Sequence, residues 1–287
     1  MEKTISLLEG NLLHQDAEIY SILRKNPPIW WKNLINDKEI YIEVRKNDEL
    51  MAYYHGGRAA GITFMKRSHE LIVTAHPKYL GHTDKSDSRY YKQNEKHSPI
   101  YQRCEEWLTN RMDELKMNIT KHYSGKEEGE DTSEKFIQGN LILNGRDTYL
   151  DSEFAHRFHD GEKNTIRIDL VRIENNRIIF EELKRIVDGR LRTKKGDPEI
   201  LDQMTNYRAF LKVNQDRLTE YYKTLYQIKR DLSLPVPDVS AVSALSVDIE
   251  PRLLIAQNYS SLSDDRLERI RDIEKALSSI DVTPKYI

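Results

Sequence analysis

Two short stretches decide how this chain reads: Ile166-Arg167-Ile168-Asp169-Leu170-Val171 and Phe180-Glu181-Glu182-Leu183-Lys184. Both carry the β-branched and aromatic residues of strands, and Glu174-Asn175-Asn176 between them suits a tight hairpin turn. In the first, the Ile and Leu side chains share one face, so Asp169 projects from the other. In the second, Glu182 and Lys184 are two apart and leave one face together, roughly 7 Å from each other. Pairing of the two strands as a hairpin brings Asp169 near Glu182 and makes a cluster of two carboxylates and one lysine.

Two carboxylates held together repel, and a divalent cation removes that cost. Oxygen-only ligands favour Mg2+ or Mn2+, which keep waters and complete their shells with substrate phosphate. A lysine beside such a site can position a water or neutralise charge that develops on a phosphoryl group. The chemistry implied is phosphodiester hydrolysis. Spacing alone fits an ordinary solvated strand with cross-strand ion pairs equally well, so the flanking sequence has to decide.

Downstream, a helical stretch contains Gln203-Met204-Thr205-Asn206-Tyr207, with Gln203 and Tyr207 at i and i+4 on one face. Upstream, Tyr149-Leu150-Asp151-Ser152-Glu153-Phe154 places an acid before the two strands. In this order, these elements resemble the PD-(D/E)xK nuclease superfamily, and the Q-x-x-x-Y spacing resembles its RecB-like branch. The resemblance covers about residues 135–260, less than half of the chain. Ile168 stands where many members have proline before the first acid, and Glu181 beside Glu182 permits an off-by-one alignment. Lys184, two residues after Glu182, favours Glu182.

The resemblance implies an α/β (α+β) fold: a restriction-endonuclease-like core of a mixed sheet flanked by helices. It implies a Mg2+- or Mn2+-dependent nuclease acting on nucleic acid, with DNA the first expectation, in a setting such as bacterial defence or repair. Asp169 and Glu182 would hold the metal with the Leu183 carbonyl, and Glu153 would add a ligand. Lys184 would position the attacking water, while Gln203 and Tyr207 would orient Lys184 or touch the scissile phosphate. The alternative is an inactive descendant of the same fold that binds nucleic acid or assembles a complex. A third reading treats the spacing as accidental and the chain as an unrelated interaction protein.

Between Lys184 and the Gln203 helix lies the densest run of bases in the chain, with Arg185, Arg190, Arg192, Lys194 and Lys195. Such a loop can take backbone phosphates, or it can simply be solvated. His156 and His159 supply only two ligands in H-x-x-H spacing, too few for a zinc site without partners.

The remainder divides by composition. Residues 1–96 are expected to form a small antiparallel, hairpin-rich accessory domain. Its strands lie in EIYIEVRK, LMAYYHGGRAAGITFMK and HELIVTAH, with turns at Asn47-Asp48, Gly56-Gly57 and Arg67-Ser68. Trp30, Trp31, Tyr53 and Tyr54 fit its core; a base-stacking platform is the functional alternative. Residues 81–97 read as a polar loop. Residues 97–130 form a connection: a helix opened by Pro99, with an apolar stripe through Ile100, Cys104, Trp107, Leu108, Met112, Leu115 and Ile119, then a charged linker at 124–131. Residues 131–287 make the nuclease-like domain, which starts with a helix capped by Asp131 or Thr132. After the strands come helices at 198–212 and about 216–230, a strand near 251–257 and a helix at 263–279.

Composition sets outer limits. The 287 residues hold 45 Lys+Arg against 47 Asp+Glu, a formal charge of −2, which excludes a globally basic coat for nucleic acid but not a local basic surface. Cys104 is the only cysteine, so no internal disulfide or Cys-rich zinc module exists. The first residues do not read as a signal peptide and no run approaches about 18 apolar residues, so a cytoplasmic chain without membrane contact is expected. A protein partner or self-association is expected through the N-terminal domain.

Overall fold

The computed structural model describes residues 13–81, 91–92, 98–99, 101–123, 133–157, 165–193, 196–257 and 263–287. The fold is mixed α+β with two principal sheets, and none of its described helices is long and apolar enough to cross a membrane. Contacts divide it into two compact units, Leu8–Arg146 with Thr224–Val236, and Asp147–Lys223 with Pro237–Ile287.

The first unit opens with helices α1 (Glu18–Lys25) and α2 (Ile29–Asn36). Strands β1 (Tyr41–Arg45), β2 (Glu49–Tyr54), β3 (Gly57–Met65) and β4 (Glu70–Ala75) follow as an antiparallel meander. The pair β5 (Tyr91–Lys92) and β6 (Ser98–Pro99) stands apart, and β7 (Gln102–Arg103) joins the sheet beside β4. The β2–β3 turn puts His55 and Gly56 at positive φ. Glycine is required at 56: a Cβ there would meet the Lys135 carbonyl oxygen at 2.7 Å, so the hairpin tip packs on α5 (Glu134–Asn144).

Trp30, Trp31, Tyr53 and Tyr54 are all buried, which leaves them no open face for a base. The helix expected from residue 100 begins only at Glu105 and breaks at Arg111, giving α3 (Glu105–Asn110) and α4 (Met112–Tyr123). Gln102 and Arg103 pair with β4 instead, and Cys104, buried as expected, is the N-cap of α3 rather than an interior residue. Local helical periodicity lost here to the hydrogen bonds of a sheet edge. Helix α5 is capped by Ser133, whose hydroxyl accepts from the Phe136 amide. The expected linker at 124–131, most of the loop at 81–97, Ile100, Asp131 and Thr132 lie outside the described residues. The units divide at 146/147, not at 131, and α5 belongs with the first.

The second unit is built on the sheet β13-β12-β10-β9-β8, with β11 (Ser246–Val247) pairing with β10 ahead of β12. Strands β8 (Tyr149–Arg157), β9 (Thr165–Glu174) and β10 (Arg177–Arg185) are antiparallel, while β12 (Arg252–Ala256) and β13 (Lys285–Tyr286) add in parallel. Asn175 and Asn176 both take positive φ in the two-residue β9–β10 turn, where asparagine is tolerated best after glycine. Strand β10 is central, and every side chain from Ile178 to Lys184 is buried.

Helix α6 (Glu199–Asp231) is one continuous helix where two were expected. The intervening Lys212-Val213-Asn214-Gln215 contains neither proline nor glycine, and Asn214 satisfies its amide by donating to the Phe210 carbonyl at 2.8 Å. Phe210 and Tyr222 of α6 pack with Phe154 and Phe180, with ring centroids 5.5–6.2 Å apart. Helix α7 (Asp264–Ser278) completes the unit and buries Ile273 and Leu277.

Candidate active site

Register builds the site. Leu170 lies opposite Glu181 in the β9–β10 ladder, which leaves Asp169 beside Glu182. On the other side, Ser152 opposes Leu170 and Phe154 opposes Ile168, so Glu153 stands across from Asp169. Three carboxylates therefore share a row over three adjacent strands. Glu153 has φ 51°, a left-handed conformation unusual within a strand, and the β8–β9 register shifts upstream of it, between Tyr149 and Asp151.

Asp169 is fixed by the Leu183 amide, which donates to Oδ2 at 2.8 Å. Lys184 is 1% exposed and Glu182 3%. The lysine Nζ ion-pairs with Glu182 Oε1, donates to the Leu183 carbonyl at 2.9 Å and stands 3.8 Å from Asp169 Oδ2. From α6, Gln203 Nε2 donates to Glu182 Oε1 at 2.5 Å and to the Tyr207 hydroxyl at 2.6 Å. The Tyr207 hydroxyl donates to the Arg167 carbonyl and lies 3.1 Å from Glu182 Oε2. Asp169, Glu182, Lys184, Gln203 and Tyr207 thus form one connected cluster.

Its electrostatics follow from burial. Glu182 is pushed up to about 7 by desolvation and then by the Asp169 charge, against the pull of Lys184. Asp169 is also raised by burial, opposed first by Lys184 and then by the Leu183 amide, with Glu153 adding to the rise. The Tyr207 phenol is raised by burial and then by Glu182, so it stays a neutral hydrogen-bond donor.

Glu181 belongs elsewhere. It is 2% exposed and its Oε1 is 2.6 Å from Arg172 Nε. The off-by-one alignment is thereby excluded as a description of this cluster, since adjacent strand residues face opposite ways.

The basic loop is partly neutralised, by its own Asp188 and by Asp272 of α7. Arg190 is chelated by Asp188, with Nε and Nη2 at 3.0 and 2.5 Å, and Arg192 reaches Asp272 at 3.0 Å. Arg185 is half-buried at the end of β10, and Lys194 and Lys195 lie outside the described residues. His156 is buried against Phe210, with ring centroids 5.6 Å apart, and His159 lies outside the described residues.

Among the described residues, no group of three or more His, Cys, Asp or Glu side chains is arranged to hold a metal ion. The donors that converge here are Asp169 Oδ2, Glu182 Oε1 and the Leu183 carbonyl, and each now faces Lys184 Nζ. That set is all oxygen and carries two negative charges when ionised, so its chemistry fits Mg2+ or Mn2+. Two parts of the cluster were not legible as side-chain spacing: the Leu183 amide that holds Asp169, and the Arg167 carbonyl that anchors Tyr207. Comparison with known proteins returns no family model, no curated protein and no solved structure that matches this chain.

Proposed function

We propose that the chain is a divalent-metal-dependent nuclease of the PD-(D/E)xK kind, with a restriction-endonuclease-like core in the second unit and DNA as its substrate. One observation carries this reading: Asp169, Glu182, Lys184, Gln203 and Tyr207, five residues from three separate elements, meet in one hydrogen-bonded cluster. Asp169, Glu182 and the Leu183 carbonyl would hold the metal, with Glu153 behind Asp169. When bound, the ion would polarise a phosphoryl oxygen and acidify water. Lys184 would then swing from the carboxylates to orient the attacking water and offset charge on the phosphate. Gln203 and Tyr207 hold the Glu182 carboxylate in place while this happens. A cleavage screen over single- and double-stranded DNA and RNA, with and without Mg2+, tests the reading; no metal-dependent product from any substrate would defeat it.

A second reading, an inactive nuclease-fold protein that binds nucleic acid or assembles a complex, draws support from one feature. Lys184 already neutralises the site, and ion-paired carboxylates need no metal. The same screen separates the two, because the second reading gives binding without product.

A further inference from the structure

In the first unit, the β1-β2-β3-β4-β7 sheet gathers arginine and tyrosine on one face. Cross-strand partners run Met51, Gly61, Thr74 and Arg103, and a bulge after Ala52 puts Arg58 opposite Tyr53. The Arg58 guanidinium lies over the bare backbone of Gly61, where a Cβ would meet its Nη2 at 3.0 Å. It also stacks on the Tyr101 ring, 4.3 Å from the centroid. His76 meets the same ring edge-on, 5.8 Å between centroids.

Arg58 is under-used. Among the described residues, its buried Nε has no hydrogen-bond partner, Nη1 finds only the weak acceptor Met51 Sδ at 3.9 Å, and no ion pair satisfies it. A guanidinium with unmet donors so placed calls for an anionic acceptor. Tyr101 is 42% exposed and Arg103 has a half-exposed side chain. The acids on this face are mostly committed: Glu43 pairs with Lys229 and Glu105 with Arg103, while Glu49 stands opposite Arg45 at the far edge.

We propose that this face binds single-stranded nucleic acid. Arg58 takes a phosphate and the open part of the Tyr101 ring stacks on one base, while Arg103 stays paired with Glu105 at 2.6 Å. The guanidinium already stacked on the ring makes the platform preformed, so little side-chain entropy is lost on binding. A single strand is favoured over a duplex because stacking on Tyr101 needs an unpaired base. The class of partner follows the nuclease reading, but the surface is tested apart from the chemistry.

The test uses the full-length Asp169→Ala chain in chelator, with a fluorescently labelled single-stranded oligonucleotide followed by anisotropy. Tyr101→Ala should weaken binding about tenfold, as expected for one lost stacked base. Arg58→Ala should weaken it comparably and lower the slope of log affinity against log salt by about one. Arg58→Lys should keep that slope yet lose affinity, which separates the planar stack from charge alone. Lys121→Ala, which removes a charge elsewhere in the same unit, should change nothing. Unaltered affinity in both Tyr101→Ala and Arg58→Ala would overturn the proposal. So would a duplex that binds as tightly as the single strand, or full competition by polyglutamate. Because neither metal nor cleavage enters the measurement, its failure leaves the nuclease reading standing, and the reverse also holds.

Discussion

The Asp169 carboxylate is held by the Leu183 amide at 2.8 Å, across the β9–β10 ladder. A side chain from one strand is thus fixed by the backbone of the next, at the residue between Glu182 and Lys184. This bond is why the two strands must pair in this register for the cluster to exist. Slipping by one residue would send Glu182 and Lys184 to the opposite face.

Glu182 gives the stability a definite pH dependence. Its folded value, about 7, is above its ordinary value of 4.5, so the folded chain holds this proton more tightly than the unfolded one. Stability from this group is fully present below the unfolded value and is lost as pH rises through the folded one. The loss is on the order of 3 kcal/mol. Urea unfolding in chelator at about pH 5 and pH 8 should show it, and Glu182→Gln should flatten the difference. A wild-type chain more stable at the higher pH would contradict this.

Tyr207 should separate positioning from folding. Tyr207→Phe leaves the Arg167 carbonyl without its donor and frees one side of Glu182, at a cost of about 1–3 kcal/mol in stability. Cleavage should fall by about tenfold or more, mainly in kcat, as Glu182 loses its orientation. Melting temperature and steady-state kinetics measured together check both effects.

The first unit contains a buried ion pair, Glu43 Oε2 with Lys229 Nζ at 2.5 Å. Lys229→Met should destabilise the chain by about 3–5 kcal/mol, because it removes the cation paired with a buried carboxylate. Adding Glu43→Leu should recover most of that loss. Denaturant midpoints of the single and double variants decide the point.

Gly56 should tolerate no side chain. At φ +79°, with the Lys135 carbonyl 2.7 Å from any added Cβ, Gly56→Ala should cost more than about 1 kcal/mol. A thermal melt within a degree of wild type would show that the hairpin tip can move off α5.

Much of the second unit was legible, because its signals are local and mutually consistent. The β9–β10 hairpin could be read from alternation and the Asn175-Asn176 turn, and Gln203/Tyr207 from i, i+4 spacing. Fold and local pattern part where tertiary pairing overrides the pattern or where a polar stretch does not break a helix. Gln102 and Arg103 look like the start of a helix yet complete a sheet edge beside Thr74 and Ala75. Lys212 to Gln215 is polar enough to suggest a break, yet nothing in it prevents the helix from continuing. Backbone groups such as the Leu183 amide leave no mark in residue spacing, and Arg192 reads as a free charge because Asp272 comes to it only in the fold, whereas Asp188 stands two residues before Arg190 in the sequence itself.

Asp169 and Lys184 are proposed to serve metal-dependent phosphodiester cleavage. This role is tested most directly by incubating the purified chain with DNA in Mg2+, alongside Asp169→Ala and Lys184→Ala variants verified as folded. Wild type should give product in Mg2+ or Mn2+ and none in chelator, and neither variant should give any. Cleavage that persists in excess chelator, or that both variants retain, would contradict this role.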